Sequence, residues 1–343
     1  MLPPSGIRTF LNWSRAAEWW EFKLLPCIMV AYGTSLHLGA TPIDILPALG
    51  ILLLALVPGA LYVSLVNDLT DLADDARAGK HNRLAGSGRT VPLLLCLASL
   101  LAGGLVAWSL RDSPMILAVY AAGWIAYSLY SLPPFRLKTR GLAGAICDAV
   151  GANVAPSLLG SLLVARGLGV QLEAPWLAAV GVWSLCFGLR GIFWHQIGDL
   201  AADLRSGAST FVVRWGQAAT MTIARLVVFP LEVVALGVWV AQTGLAAVLA
   251  GAIAIAAYAW LVHERLDRLG MCFTIVKPRP RSFILLHEVY DVFLPLAFLV
   301  VSLVWDWRAL AVLGLHLVLF PMRWRQVVDD LVLLRDPRFQ RRK

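Results

Sequence analysis

Apolar runs of 18 or more residues recur along the whole chain; one of them reads ALGILLLALVPGALYVSLV, from Ala48 to Val66. A run of this length matches the hydrocarbon core of a bilayer, which a helix crosses in roughly 20 residues. In lipid every backbone N–H and C=O must find its partner within the segment, so each run is read as a helix. Only 15% of the residues are charged, against roughly 25% in an ordinary soluble domain. A membrane β-barrel would need short segments of alternating polarity, and the chain has none.

The expected fold is therefore an all-α, polytopic membrane helical bundle. Nine core spans are read near 24–40, 44–66, 91–110, 114–131, 142–165, 175–195, 219–241, 244–263 and 284–304. A tenth, hairpin-like segment near 308–322 would return the basic tail to the side of the N-terminus. Three regions follow: an N-terminal interfacial arm (1–23), a transmembrane domain (24–304) and a C-terminal extra segment with a basic tail (305–343). The arm mixes Trp13, Trp19 and Trp20 with charges, the composition of a helix lying at the membrane surface rather than of a cleaved leader.

The net charge of +8 does not point to nucleic acid here, because the cations follow the loops. Seventeen Lys and Arg fall in the arm and in alternate loops, among them Arg15, Lys80, Arg136, Lys138, Arg205, Lys277 and Arg281, while the opposite loops hold Arg111, Arg166 and Arg308. Positive charge accumulates on the cytoplasmic side, which puts the N-terminus and the charged loops there, in what is expected to be a bacterial inner (plasma) membrane. The five cysteines are scattered through apolar runs without metal spacing and read as packing residues.

The chemistry concentrates at two span ends. VNDLTDLADDARAGKHNRLAGSG, from Val66 to Gly88, places Asp68, Asp71 and Asp75 at i, i+3 and i+7, on one side of a helix. Like charges so placed repel unless a cation neutralises them. Asp199 and Asp203, in HQIGDLAADLRSGAST, repeat the spacing of Asp71 and Asp75 at an offset of 128 residues. Both stretches follow an even number of spans and so face the same side, which suggests two pseudo-repeated halves around a central cavity. Carboxylates suit Mg2+, which takes one or two protein oxygens and completes its shell with water and substrate phosphate; two clusters facing each other would hold a diphosphate through two ions. Lys80, Arg83, Arg136 and Lys138 are candidate phosphate partners on that side.

NDLTDLADD, from Asn67 to Asp75, resembles the N-D-x-x-D-x-x-x-D signature of the UbiA superfamily of intramembrane prenyltransferases. KHNRLAGSG is similar to the K-x-N-R-P stretch that follows it, with Leu84 at the proline; YSLYSLPPFRLK resembles the Y-S-x-P-P-x-R-x-K loop; DLAADLRSGASTFVVRWG resembles the second acidic motif. The resemblance runs from the first span through the ninth. It implies Asn67, Asp68, Asp71, Asp75, Asp199 and Asp203 as the metal and catalytic set, with Gln196 standing where the second motif begins with an acid. It also implies nine helices around a cavity and the reaction itself: an isoprenyl diphosphate ionises, and a small aromatic or lipid-like acceptor captures the cation. Tyr127 is a candidate for stabilising that cation through its π-face, and Asp148 and Glu288, acids inside spans, for contacting the acceptor. A terpene cyclase on the same scaffold is the alternative within this class; a cation transporter using the aspartates is the alternative outside it.

Overall fold

The computed structural model describes residues 5–269 and 284–335. The loop cations Lys277, Arg279 and Arg281, Cys272, and the tail charges Arg338, Arg341, Arg342 and Lys343 lie outside them. The chain is an all-α bundle. The arm forms α1 (Ser5–Trp13) and α2 (Ala16–Trp19). The bundle then runs α3 (Leu24–His37), α4 (Leu46–Ala78), α5 (Thr90–Ser109), α6 (Pro114–Ser131), α7 (Leu142–Gly167), α8 (Ala174–Ser206), α9 (Phe211–Ala241), α10 (Leu245–Leu269) and α11 (Val289–Trp305). The chain continues through α12 (Ala309–Leu319) and α13 (Pro321–Arg335). Among the described residues six helices are long and apolar enough to cross a membrane, and α3, α11 and α12 are shorter apolar helices. Leu94, Leu101 and Leu105 of α5 and Val234 and Val238 of α9 are exposed, as befits faces turned to lipid.

The two halves are visible in α4 and α8. Each has 33 residues, each carries proline in its first turn, and each ends on a left-handed glycine, Gly79 at φ 69° and Gly207 at φ 73°. In each, the last aspartate of the acidic motif offers its carbonyl to the amide beyond that glycine: Lys80 N to Asp75 O at 2.9 Å, Ala208 N to Asp203 O at 3.0 Å. Only a residue without Cβ adopts this helix end at little cost. Every one of these landmarks recurs at the 128-residue offset of the aspartates.

A helix of that length rises about 50 Å, well beyond a hydrocarbon core of about 30 Å. The sequence reading ended these spans at 66 and 195, where the polar residues begin; the helices continue to Ala78 and Ser206. Polarity marks where a helix leaves lipid, not where it stops. Conversely, α12 has 11 residues, about 16 Å, shorter than the expected tenth segment. It leads into α13, whose first amides, Met322 N and Arg323 N, are held by the Glu21 carboxylate at 2.8 and 2.7 Å. The arm is likewise more than a surface helix. It breaks at Arg15 (φ 53°), whose side chain pairs with Asp68 of α4, and Trp20 Nε1 donates to Leu319 O of α12 at 2.8 Å.

Of three wide π-type turns, Val150–Val154 and Ala224–Val228 interrupt α7 and α9, and Val289–Phe293 opens α11. Each is followed two residues on by a proline: Pro156, Pro230 and Pro295. Proline has no N–H for the carbonyl one turn back, and a widened turn is a local way to accommodate that loss. In the core, Arg190 of α8 binds Glu232 of α9 through Nε–Oε2 at 2.6 Å and Nη2–Oε1 at 2.5 Å. Tyr290 of α11 donates to Glu232 Oε1 at 2.7 Å, and Arg190 Nη1 donates to Leu285 O at 2.9 Å. This fully buried pair is held by the hydrogen bonds that a charge in lipid requires.

Candidate active site

A cavity of about 1120 Å³ opens between the halves. One stripe of α4 lines it, running Ala55, Gly59, Val63, Asn67, Asp71 and Asp75. Each step of four residues turns only about 40°, so the stripe winds slowly round α4 and the wall passes from apolar to amide to carboxylate along a single helix. A matching stripe of α8 runs Phe187, Gly191, His195, Asp199 and Asp203. At the 128-residue offset Asp71 corresponds to Asp199, Asp75 to Asp203 and Asn67 to His195. Both C-terminal helix ends meet here: Arg205 Nε of α8 donates to Ala78 O of α4 at 3.2 Å. Two helix C-termini add their partial negative charge to four aspartates, which makes this end of the cavity a site for cations.

The cations come from the loops. Lys80, just past α4, reaches across to α8, with Nζ 2.9 Å from Asp199 Oδ2 and 3.8 Å from Asp203 Oδ1. Lys138 Nζ lies 2.5 Å from Asp71 Oδ1 and 2.9 Å from Asn67 Oδ1. Arg136 joins Asp71 at 2.7 Å and Asp74 at 2.5 Å. The loop between α6 and α7 is aimed by two local devices. Arg136 adopts a left-handed backbone (φ 42°), uncommon for a residue with Cβ. Gly144, in the first turn of α7, admits the Leu137–Thr139 turn so closely that a Cβ there would stand 2.3 Å from Leu137 O. A two-residue parallel ladder, β1 (Arg140–Gly141) with β2 (Ser209–Thr210), then ties this loop to the one after α8. Thr210 Oγ1 in turn donates to Asp203 Oδ2 at 3.2 Å. Burial pulls the Lys138 ammonium below its ordinary value, with Asp71 opposing. For Arg136 burial also opposes the charge, but Asp71 and Asp74 outweigh it and hold the guanidinium above its ordinary value.

Of the residues singled out in the sequence, Asn67, Asp71, Asp75, Lys80, Tyr127, Arg136, Lys138, Asp148, Gln196, Asp199, Asp203 and Glu288 all line this cavity. Two do not. Asp68 is 1% exposed and accepts from Arg15 of the arm. It sits at the edge of the α4 stripe, where the arm covers it. Arg83 pairs with Glu18 of the arm. Asp74, outside the sequence pattern, lines the cavity instead. Asn82, of the KHNR stretch, also joins the machinery, with Nδ2 2.8 Å from Asp75 Oδ2 and 2.9 Å from Asp68 O. His195 was recoverable from the offset that maps it onto Asn67. Arg15 and Arg323 were not, because their partners Asp68 and Asp291 lie on distant elements.

The donors fit a hard divalent ion. Among the described residues no three His, Cys, Asp or Glu side chains gather closely enough to hold a metal alone, and Mg2+ does not ask for that, since it retains water and takes phosphate oxygens. Lys138 between Asn67 and Asp71, and Lys80 between Asp199 and Asp203, hold positive charge at the two places where the acids demand it.

Away from the acids the lining changes along the cavity. The part between α4, α6 and α7, its apolar arm, is lined mainly by Ala55, Gly59, Val63, Tyr120, Trp124 and Leu159, with Ser64, Asp148 and Asn153 as polar exceptions. Phe187, Trp194, His287 and Glu288 line another part, with Arg323 and Gln326 of α13. Arg323 is anchored there by Asp291 at 2.9 Å and by Gln326 at 2.6 Å.

The sequence profile of the UbiA prenyltransferase family matches residues 24–272. The fold is similar to a UbiA homolog from Archaeoglobus fulgidus solved with DMAPP and Mg2+, with TM-score 0.59 and 16% identity over 86% of this chain and 99% of that one. It is also similar to the same organism's homolog with GPP and Mg2+, with TM-score 0.57 and 17% identity over 89% and 99%. Two Humulus lupulus proteins named 2-acylphloroglucinol 4-prenyltransferase are 24% identical over 48% of this chain and 23% identical over 62%. The chain spans 40% and 53% of their lengths, about half of each.

Proposed function

Since the chain belongs to the UbiA prenyltransferase family, we propose that it transfers an isoprenyl group, inside the membrane, from an isoprenyl diphosphate to a small hydrophobic acceptor of aromatic or lipid-like character. One observation carries this reading: a single cavity joins a carboxylate and ammonium end to apolar walls, matching a substrate with a charged head and a greasy tail. The relatives' names and the ligands in the A. fulgidus structures point the same way.

Asn67, Asp71 and Asp75 on α4 and Asp199 and Asp203 on α8 would hold Mg2+, one ion for each acidic helix. When bound, the metal neutralises charge developing on the leaving diphosphate. Lys80, Arg136 and Lys138 do the same work from the protein: each has an N–H donor already directed into the site, and each exchanges a carboxylate for a phosphate oxygen when the donor arrives. Asn82 fixes the Asp75 carboxylate and Thr210 that of Asp203, so the acids are oriented beforehand. Tyr127 and the apolar arm keep water from the allylic cation, and the lobe bearing His287 and Glu288, with Asp148 of α7 at the cavity wall, receives the acceptor. The cations of the arm and loops favour an orientation with the acidic end in the cytoplasm.

The test is release of inorganic diphosphate by purified protein in nanodiscs, given a labelled prenyl diphosphate and Mg2+. Metal-dependent release that disappears in Asp71→Asn supports the assignment. Release that is indifferent to metal and to Asp71 removes it.

A further inference from the structure

The apolar arm of the cavity has a floor, and the floor is built from identifiable side chains. On α4 the lining stripe descends from Asn67 through Val63, Ala60 and Gly59 to Ala55. The next residue of that face, Leu52, no longer lines the cavity; it is 1% exposed, and its Cδ2 would lie 3.4 Å from a Cβ placed on Gly160 of α7. On α6 the wall ends at Val119 and Tyr120, and the Tyr120 hydroxyl donates to Ala55 O at 3.4 Å across the gap between α4 and α6. Leu159 of α7, 1% exposed, completes the end.

We propose that this arm measures the donor and accepts an isoprenoid tail of about four units, twenty carbons, refusing longer chains. The inference rests on the diphosphate lying at the aspartates, as proposed above. With the head at Asp71 and Asp199, the first tail carbon falls near the level of Asn67. Twelve residues separate Asn67 from Ala55, about 18 Å of helix. An extended chain advances about 1.2 Å per backbone bond, since three bonds span roughly 3.5 Å. A four-bond isoprene unit therefore needs about 4.7 Å on the same scale, and four units fill the arm. Above the floor the walls are small or flat: Gly59 and Ala60 on one side, Gly123 and the ring of Tyr127 on the other. They leave room for a branched chain.

The experiment is a binding series on the full chain in nanodiscs with Mg2+, using synthetic all-trans prenyl diphosphates of two, three, four, five and eight units. Each is measured by displacement of a labelled four-unit probe, or directly if the probe does not bind. Affinity should rise to four units, and five units should bind at least about tenfold more weakly, because a closed arm is overpacked by the extra unit. Two substitutions move the optimum in opposite directions. Tyr120→Ala opens the floor and restores binding of five units. Ala60→Phe, about 10 Å below Asn67, raises the floor and shifts the optimum to two units; it carries the test if Tyr120→Ala does not fold. Equal binding of four and eight units, or an optimum that neither substitution shifts, overturns the length assignment and leaves the transferase reading standing. Failure to bind any member of the series overturns both.

Discussion

Lys80 Nζ lies 2.9 Å from Asp199 Oδ2, although the two residues are 119 positions apart. The cation emitted from the end of the first acidic helix thus neutralises the second. The two halves of the repeat are locked at their charged ends by a contact that a metal and a diphosphate would have to displace. Replacing Lys80 by Met should therefore have two effects of opposite sign. Without donor, Mg2+ should bind more tightly, because its competitor is gone. The donor itself should bind roughly tenfold or more weakly, because a charge-assisted phosphate contact is lost. Calorimetric titration of each ligand in turn separates the two; parallel losses would mean that Lys80 only holds the fold.

Asp68 and Asp71 sit three residues apart and should behave differently. Asp71→Asn removes a cavity carboxylate and should lower Mg2+-dependent diphosphate release roughly 100-fold or more, with little change in unfolding. Asp68→Asn breaks the buried contact to Arg15. It should cost about 1–3 kcal/mol of stability while leaving the apparent affinity for Mg2+ within about twofold of the parent. Unfolding curves and metal titrations on both variants check the pair.

Gly144→Ala places a methyl group where Leu137 O already stands. The Leu137–Thr139 turn must move, and Lys138 with it. The expected outcome is a folded protein whose KM for the donor rises while its acceptor KM does not. An unchanged donor KM would show that the loop tolerates the shift without moving its lysine.

Glu232→Leu leaves the Arg190 guanidinium without its carboxylate in the apolar core and should destabilise the bundle by about 3–5 kcal/mol. Adding Arg190→Met should recover much of that loss, since an apolar pair of similar volume needs no desolvated charge. Thermal unfolding in a single detergent compares the single and double variants; equal losses in both would assign the pair a role other than charge compensation.

Much of this was legible in the sequence, for a physical reason. A bilayer forces apolar runs into helices, so the all-α bundle follows from length and composition. A cation site forces carboxylates onto one helix face, so Asp71, Asp75, Asp199 and Asp203 stand out by spacing, and the repeat by its 128-residue offset. What remained hidden depends on contacts between distant segments. Asp68 has the right spacing, but the arm places Arg15 over it. Asp74 falls outside the pattern yet lines the cavity, where Arg136 reaches it from the loop between α6 and α7. The two long helices outrun the predicted spans because hydropathy senses lipid and not hydrogen bonding. The approach of α13, which brings Arg323 to the cavity wall, depends on Glu21 holding its first amides some 300 residues away in sequence.

The most direct measurement is anomalous diffraction from crystals grown with Mn2+ in place of Mg2+ and a non-hydrolysable prenyl thiolodiphosphate. The account predicts metal density between the diphosphate and Asp71 on one side and Asp199 on the other, with the Lys80 and Lys138 ammonium groups moved from their carboxylates onto phosphate oxygens. Metal bound elsewhere, or a diphosphate held by lysines with both aspartates still in their ion pairs, would contradict it.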